Sequence, residues 1–543
     1  MSKAASAFAQ SWSAQDADGM VGSFAAEAAG EWTPKGLEKW MVRTLDAGAI
    51  SSLAVEVGRA ATPEVDSEEE LPGTTATAPY TITYESDAAA TAVEMSGRLP
   101  LVFEDDGWKV RWVENLMWPE SQGAAGFGVD IREAKRGAIV DRDGDVLAKG
   151  QGGNRSYPNG SVAGSTIGHI APLPKKEVPP GLDPDELVGV SGLEKGLDDL
   201  LTASSGADLL LVDEAGDTVE VLGTKKAGKP EDVQVTLDID MQRAAENAFG
   251  GTTGGAVVIE PSTGDLLAVV SSAPFDPNNY VGVEGITPFN RALSGTYPPG
   301  SAMKVVTASA AIEERLVKPT TEVTGPGNYK GVHNFESGEF GSISFLLATQ
   351  KSVNTAFAQI AEDLGSETMT EYAEKFGFNK EPAMPLETAT PSFPKPQDLT
   401  DLMWSSIGQA QVLATPLQMA TVAATVANDG TRMEPRVLLS DPEEGVEVMS
   451  PRSAETMTEL MEAVVVGGTG TAANLGTPTV AGKTGTAEVS VGGGIQNHAW
   501  FICFAPSDDP EVAVAVVSEF GGIGGEVAAP LARQILQAVL PLT

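Results

Sequence analysis

The spacing of apolar positions changes along the chain and predicts different elements in different segments. Near the start, apolar residues recur every four or eight positions, which is typical of helices packed on a core. These residues are Phe8, Trp12, Met20 and Phe24. Further on, apolar and polar residues alternate and predict strands at 79–84, 99–103 and 108–113. Helices followed by an antiparallel sheet indicate a small α+β domain in residues 1–118.

Residues 231–543 form the largest predicted domain, with helices between two groups of strands. Strands are predicted at 255–259, 266–270, 479–488, 499–504 and 512–517, and helices at 301–316, 415–427 and 530–540. Strands at both ends of a segment imply one sheet assembled from distant pieces of chain, an α+β layout. Between the two domains, residues 119–230 are rich in glycine and charge and carry short β-type runs, which predicts a smaller β-rich domain.

Length and charge limit the classes of function. A chain of 543 residues is too long for one hydrophobic core, so a multidomain α+β protein is expected. Lysine and arginine number 35 and aspartate and glutamate 75, which gives a net charge of 35 − 75 = −40. Nucleic acid and anionic lipid repel such a polyanion, so we expect no nucleic-acid partner.

The cysteine and histidine residues do not suggest a metal centre. The single cysteine, Cys503, lies in an apolar run and is interpreted as a small buried residue rather than a reactive thiol. The three histidines, His169, His333 and His498, are far apart and lack metal-ligand spacing. We therefore expect neither a metal nor a cofactor.

The first motif that carries chemistry is Ser301-Ala302-Met303-Lys304, which follows two prolines and a glycine and opens an apolar helix. Residues i and i+3 share a helix face, so Lys304 is expected to reach the Ser301 hydroxyl. Burial against an apolar helix lowers a lysine pKa, and a neutral amine can act as a base toward a serine nucleophile. Taken alone, the pattern also fits a helix-capping serine with a surface lysine.

Two further motifs follow along the chain. In Ser352-Val353-Asn354, an extended turn would project Ser352 and Asn354 to one side, for proton relay and for binding a substrate amide. In Lys483-Thr484-Gly485-Thr486, a strand offers a positive charge, a hydroxyl for a carboxylate and glycines that permit close approach. The N–H groups of Ser301 and Thr486 could together bind an oxyanion.

The ordered set S-x-x-K, S-x-N and K-T-G resembles that of the active-site serine penicillin-recognising enzymes. Residues 231–543 as a whole look like the transpeptidase domain of class B penicillin-binding proteins, including Gly408-Gln409-Ala410-Gln411 and Glu260-Pro261-Ser262-Thr263-Gly264. The segments 136–148 and 189–194 resemble the non-catalytic pedestal, or dimerisation-like, domain. Residues 1–118 resemble the nuclear-transport-factor-2-like domain at the N-terminus of some low-affinity members.

The resemblance implies a serine D,D-transpeptidase that cross-links peptidoglycan and is acylated by β-lactams. In that mechanism Ser301 attacks a stem peptide, Lys304 accepts its proton, and Ser352 with Lys483 protonates the leaving D-alanine. Lys483 and Thr484 bind the terminal carboxylate, while Asn354, Gly485 and Thr486 contact substrate. The implied partners are peptidoglycan stem peptides, β-lactam antibiotics and a cell-wall glycosyltransferase of the elongation or division machinery.

Three alternatives remain open at the level of the sequence. The same motifs occur in β-lactamases and D,D-carboxypeptidases, although the long segment before residue 231 argues against a single-domain β-lactamase. A β-lactam-sensing receptor and a scaffold with idle chemistry also remain. The implied substrate lies outside the cytoplasmic membrane, and the sequence has no signal peptide or membrane span. We therefore expect an extracytoplasmic protein whose membrane anchor is absent from this chain.

Overall fold

The computed structural model describes residues 1–62, 74–105, 107–119, 121–132, 134–178, 184–491 and 494–543. The chain divides into two compact units. The first unit comprises Met1–Lys135 and Thr202–Pro230, and the second comprises Arg136–Leu201 and Glu231–Thr543. No helix within the described ranges combines the length and the apolar character that a bilayer crossing requires.

Helices occur in both units. In chain order the α-helices of the described residues are α1 (Ser2–Ser13), α2 (Ala17–Gly22), α3 (Ala26–Glu31), α4 (Pro34–Ala47), α5 (Gly164–Ile167), α6 (Gly192–Gly196), α7 (Asp198–Leu201), α8 (Ile239–Phe249), α9 (Lys304–Glu313), α10 (Phe345–Gln350), α11 (Asn354–Lys375), α12 (Leu399–Ser406), α13 (Pro416–Ala427), α14 (Pro451–Gly467) and α15 (Ala528–Val539). Helix α11 is kinked at Gly365, whose φ of 79° is not helical.

Strands also occur in both units. They are β1 (Ile50–Val57), β2 (Thr75–Ser86), β3 (Val93–Glu104), β4 (Gly107–Val110), β5 (Gly126–Arg132), β6 (Ile139–Val140), β7 (Val146–Ala148), β8 (Ile170–Ala171), β9 (Val188–Gly189), β10 (Gly206–Val212), β11 (Thr218–Lys225), β12 (Val233–Gln234), β13 (Gly254–Ile259), β14 (Leu266–Ser271), β15 (Glu322–Gly325), β16 (Asn328–Tyr329), β17 (Val332–His333), β18 (Gly341–Ser344), β19 (Thr431–Met433), β20 (Gly445–Glu447), β21 (Ala481–Val491), β22 (Gly494–Ala505) and β23 (Val512–Ser518).

The first unit contains an antiparallel sheet of order β1-β2-β3-β4. Its apolar face shares a core with helices α1, α2 and α4, in which Trp12 and Tyr84 are fully buried. This arrangement confirms the predicted α+β character, and it includes one strand, β1, that the sequence analysis did not predict. A second sheet of this unit has the order β11-β10-β5.

The second unit is organised around a five-stranded antiparallel sheet of order β14-β13-β23-β22-β21. Every residue of β23 is buried, because both faces of the sheet are covered. Val512, Val514 and Val516 lie in a core with α15, whereas the alternate residues of β23 lie in a core with α13. The prediction of one sheet built from distant segments is confirmed.

The helical middle of the second unit holds α9 through α14. The helix predicted at 301–316 is shorter than expected: residues Gly300–Met303 form a 3₁₀ turn, and α9 begins only at Lys304. All of α9 from Lys304 to Ile312 is buried, so this helix forms part of the core. Helix α13 starts where it was predicted, with Thr415 as cap and Pro416 in the first position.

The segment 119–230 is shared between the two compact units, since Arg136–Leu201 falls in the second unit and the flanking parts fall in the first. Within the second unit this segment contains a buried ion cluster. Glu194 is fully buried and accepts hydrogen bonds from Arg155 Nε at 2.7 Å and Arg136 Nε at 2.8 Å. The side chains of Arg155 and Arg136 are 0% and 5% exposed. The charge of Arg155 depends on Glu194 for compensation, whereas Arg136 also binds Asp198 at 2.6 Å.

We expect Glu194→Ala to lower the free energy of unfolding of the second unit by about 3–5 kcal/mol, because it leaves the buried guanidinium group of Arg155 without a counter-ion and removes one of the two carboxylates that Arg136 binds. Urea denaturation monitored by tryptophan fluorescence measures this. The matched control is Glu177→Ala, whose partner Lys176 is 83% exposed, and it should change stability by less than about 0.5 kcal/mol. Equal effects of the two substitutions would contradict this account of the cluster.

Candidate active site

Ser301 lies in the 3₁₀ turn that precedes α9, and its side chain is partly exposed. Two backbone contacts fix this turn. Tyr297 and Ala414 exchange N–H···O bonds of 2.9 Å, and Gly300 N–H donates to the Gly408 carbonyl at 2.9 Å. Gly300 has a φ of 54°, a left-handed conformation that glycine adopts without strain. The chain therefore presents Ser301 at the start of a fully buried helix.

Lys304 is buried, with 1% of its surface exposed, and its amine reaches the second motif. Nζ donates to the Ser352 carbonyl oxygen at 2.8 Å, to Ser352 Oγ at 3.1 Å and to Asn354 Oδ1 at 2.6 Å. The same nitrogen lies 5.2 Å from the centre of the Phe357 ring. These three oxygen atoms surround the amine and hold it in one defined position.

The second motif takes its shape from a left-handed residue rather than from the extended turn that the sequence analysis expected. Ser352 has a φ of 56°, which is uncommon for a residue with a side chain. With this backbone, both its carbonyl and its hydroxyl bind the Lys304 amine. Asn354 begins α11, and its Nδ2 donates to the His333 carbonyl at 2.8 Å, which leaves Oδ1 for Lys304.

The third motif lies on β21, the edge strand of the sheet, and it contacts the turn that carries Ser301. Lys483 is fully buried, and its amine donates to Ser352 Oγ at 3.0 Å and to the Thr484 carbonyl at 3.0 Å. A Cβ atom on Gly485 would lie 2.6 Å from the Pro299 carbonyl oxygen, and one on Gly300 would lie 2.5 Å from the Thr486 carbonyl oxygen. Glycine is therefore required on both sides of this contact.

The electrostatics of the cluster favour neutral amines. Burial, and after it the charge of Lys483, hold the pKa of Lys304 well below its ordinary value. Burial lowers the pKa of Lys483 to about 7. Within the described part of the chain, no carboxylate forms an ion pair with either lysine to oppose these shifts. A lysine held in this way can accept a proton near neutral pH.

The structure thus joins Lys304, Ser352, Asn354 and Lys483 directly by hydrogen bonds. Thr484, Gly485 and Thr486 follow Lys483 on β21, next to the turn of Ser301. The hydroxyl of Ser301 forms no hydrogen bond with a described residue, and Lys304 binds Ser352 and Asn354 instead of the serine three residues before it. The proton transfer between Ser301 and Lys304 that the helix spacing suggested therefore remains a proposal.

Several residues that support the site were not identified as such from the sequence. Trp500 Nε1 donates to the Pro298 carbonyl at 2.9 Å, and Gly524 N–H donates to Thr486 Oγ1 at 3.2 Å. The hydroxyls of Thr469 and Thr484 are 2.6 Å apart. Trp500 lay in a predicted strand, but no spacing pattern connects it, Gly524 or Thr469 to the motifs. Their roles follow from the three-dimensional contacts.

Three family models match the chain. A model of the penicillin-binding protein transpeptidase domain matches residues 254–537. A model of the penicillin-binding protein dimerisation domain matches residues 150–235, and one of the NTF2-like N-terminal transpeptidase domain matches residues 2–123. The first model alone covers more than half of the chain.

Named relatives and solved structures agree with these models. Peptidoglycan D,D-transpeptidase PbpA of Mycolicibacterium smegmatis is 35% identical over 64% of this chain and 79% of its own length. Peptidoglycan D,D-transpeptidase MrdA of Acinetobacter baumannii is 30% identical over 70% of this chain and 65% of its own.

The crystal structure of Pseudomonas aeruginosa PBP2 in complex with WCK 5153 aligns with a TM-score of 0.65, at 29% identity, over 76% of this chain and 96% of that one. The D,D-transpeptidase domain of a peptidoglycan glycosyltransferase from Eggerthella lenta aligns with a TM-score of 0.62, at 30% identity, over 76% of this chain and 99% of that one.

We expect Lys483→Met to raise the pKa of Lys304, because the substitution removes a neighbouring positive charge that disfavours protonation of Lys304. Heteronuclear NMR of lysine side chains labelled with ¹³C measures the titration directly. Lys351→Met is the control, since the Lys351 amine is exposed and binds the Gly467 carbonyl rather than the cluster. A Lys304 titration that is the same in both variants would show that the two amines are not coupled.

Proposed function

The chain belongs to the penicillin-binding protein transpeptidase family and is a peptidoglycan D,D-transpeptidase, and we propose that it works through an acyl-enzyme formed on Ser301. The observation that supports this assignment best is the hydrogen-bonded set of Lys304, Ser352, Asn354 and Lys483 beside the Ser301 turn. It provides a buried base, a proton relay and a cation around one partly exposed hydroxyl.

In the first step, the Ser301 oxygen attacks the carbonyl carbon between the two terminal D-alanines of a stem peptide. The hydroxyl proton moves to Lys304, which accepts it because its amine is neutral. The N–H groups of Ser301 and Thr486 stabilise the oxyanion, a contribution of about 3 kcal/mol for each donor in comparable enzymes. Gly300, which precedes Ser301, is in close contact with the backbone of Thr486, and this contact supports the proposal that the two N–H groups bind the same oxyanion.

In the second step, the C–N bond breaks and the leaving D-alanine amine takes a proton from Ser352. Ser352 Oγ accepts hydrogen bonds from both lysine amines, so its own proton is available for donation. The proton that Lys304 gained then replaces the one that Ser352 lost. The amine of a neighbouring stem then attacks the acyl carbon, the ester C–O bond to Ser301 breaks, and the proton that the amine loses returns to the Ser301 oxygen. A β-lactam follows only the first half of this sequence.

Substrate binding is proposed for the other residues of the three motifs. Lys483 and Thr484 bind the terminal carboxylate, Thr486 and Gly485 line the strand edge, and Asn354 contacts a substrate amide. The hydroxyls of Thr469 and Thr484 are 2.6 Å apart. If the Thr469 hydroxyl donates to that of Thr484, the proton of Thr484 is left for the carboxylate.

We also propose three domains with different tasks: an NTF2-like domain in residues 1–118, a pedestal in 119–230 and the transpeptidase domain in 231–543. The family models at 2–123, 150–235 and 254–537 support this order. The compact second unit includes part of the pedestal segment, so the catalytic fold uses residues from before residue 231.

Peptidoglycan D,D-transpeptidases act in the cell wall, and we propose that this chain works at the extracytoplasmic face of the bacterial membrane. A glycosyltransferase of the elongation or division machinery is the proposed protein partner, because a transpeptidase requires newly polymerised glycan strands as substrate.

Intact-mass measurement with benzylpenicillin tests the proposal. The wild-type chain should gain one penicilloyl group that peptide mapping assigns to Ser301, and Ser301→Ala should gain none. Ser309→Ala is the matched control, because it removes a buried hydroxyl from α9, the helix that follows Ser301, and this hydroxyl has no hydrogen-bond partner among the described residues. Labelling of Ser301→Ala would exclude Ser301 as nucleophile, and rapid release of the adduct with nitrocefin turnover would favour a β-lactamase.

The rate constant for acylation of the free enzyme should depend on pH in two opposite ways. It should rise with pH as Lys304 loses its proton and becomes a base, since burial and Lys483 lower the pKa of Lys304. It should fall as pH passes about 7, where Lys483 becomes neutral and no longer attracts the carboxylate. Stopped-flow acylation by benzylpenicillin measures both limbs.

The variant Lys483→Arg separates the two limbs, because a guanidinium stays charged throughout this pH range. We expect it to shift the falling limb to higher pH and to keep the rising limb. If the falling limb stays near neutral pH in this variant, it does not arise from Lys483.

A further inference from the structure

A cavity of about 470 Å³ lies in the second unit between the end of α9 and the start of α14. Lys304 is the first residue of α9, and a ten-residue helix spans roughly 15 Å, so the cavity is at the opposite end of the helix from the catalytic amine. Its volume is within the range of small-ligand sites. Its lining residues are Ile312, Glu313, Arg315, Leu316, Val317, Lys318, Thr321, Ser450, Arg452, Ser453 and Thr456.

The lining is positively charged in a strongly acidic chain. It contains three cations, Arg315, Lys318 and Arg452, and one carboxylate, Glu313, whereas the whole chain has 35 basic and 75 acidic residues. Within the described ranges, the side chains of the three cations form no ion pair and no hydrogen bond. Three exposed cations around one cavity, none of them within ion-pair distance of a described carboxylate, attract an anion.

The single carboxylate is already engaged by the protein. Glu313 Oε2 accepts the Ser450 N–H at 3.0 Å and the Ser450 hydroxyl at 2.8 Å. Burial acts to raise the pKa of Glu313, but hydrogen bonds from Ser453 and Ser450 and the charge of Arg315 outweigh it and lower that pKa. Glu313 therefore remains ionised, and the lining keeps a net charge of about +2.

The position of Arg452 is unfavourable for the helix on which it lies. It is the second residue of α14, and the first turn of this 17-residue helix contains no acidic residue. A positive charge at a helix N-terminus is repelled by the helix dipole, so helix stability does not explain Arg452. Arg315, just after the C-terminus of α9, has a favourable helix position, and the same dipole argument accounts for it.

We propose that this cavity binds a small dianion that carries a phosphate or carboxylate group. The guanidinium groups of Arg315 and Arg452 match the oxygen geometry of either group, and Lys318 adds a point charge. The Thr321 hydroxyl accepts the Lys318 N–H at 3.0 Å, which leaves its own proton for an anion. Two negative charges on the ligand would balance the net charge of about +2 on the residues that line the cavity. The proposal concerns a second site and does not depend on acylation at Ser301.

Isothermal titration calorimetry of the full chain at constant ionic strength tests the proposal, with inorganic phosphate and succinate as separate probes. We expect saturable one-to-one binding of at least one probe. The probe that binds more tightly then identifies the phosphate or the carboxylate class. Absence of saturable binding by both probes would overturn the proposal.

The triple variant R315Q/K318Q/R452Q should weaken binding roughly tenfold or more, because charge-assisted hydrogen bonds are lost. The matched control is K149Q/K195Q/R533Q, which removes the same charge from exposed positions of the second unit and should bind like the wild type. Equal weakening in both triple variants would mean that the anion responds only to net charge, which overturns the site.

A second variant guards against a folding defect in the first. Thr456→Glu places a carboxylate in the cavity, so it should abolish binding while the melting temperature without ligand stays at the wild-type value or rises. Unchanged affinity in Thr456→Glu would place the bound anion elsewhere and contradict the proposal.

Discussion

The chemistry of this protein depends on one hydroxyl, that of Ser352, which binds two buried lysine amines at 3.1 and 3.0 Å. Two ammonium groups cannot both remain charged so close together without a carboxylate, and burial adds to the cost of each charge. The result is that the pKa of Lys304 lies well below its ordinary value and that of Lys483 is lowered to about 7. In the proposed mechanism, desolvation and mutual repulsion thus provide the base that a histidine provides in other serine enzymes.

The rest of the second unit keeps this arrangement in place. Helix α9 is buried along its length and fixes Lys304, while β21 fixes Lys483 at the edge of a sheet that is covered on both faces. The turn between them contacts β21 and Gly408 through glycines, where any side chain would collide with backbone oxygen atoms. The positions of the two amines are therefore determined by backbone packing, which varies less than side-chain packing.

Much of this fold could be predicted from residue patterns, because the relevant signals are local. Short continuous runs of apolar residues indicated β13, β14, β22 and β23, and the Thr415-Pro416 pair marked the start of α13. The left-handed Ser352 could not be predicted, since its conformation is imposed by tertiary contacts rather than by its sequence neighbours. Likewise, the i, i+3 spacing placed Ser301 and Lys304 close together but could not show that Ser352 and Asn354 supply stronger acceptors for the amine.

The pairing of β13 with β23 brings Gly254 next to Ser518, residues that are 264 positions apart in the chain. A sheet with such high contact order forms slowly, and loop closure must precede the contacts that stabilise it. All three motifs lie inside this loop, and β22, which orders β21, pairs with β23 on its other side. During synthesis the nascent chain would therefore expose unpaired strand edges until β23 emerges, and the sheet that holds Lys483 would be incomplete before that point.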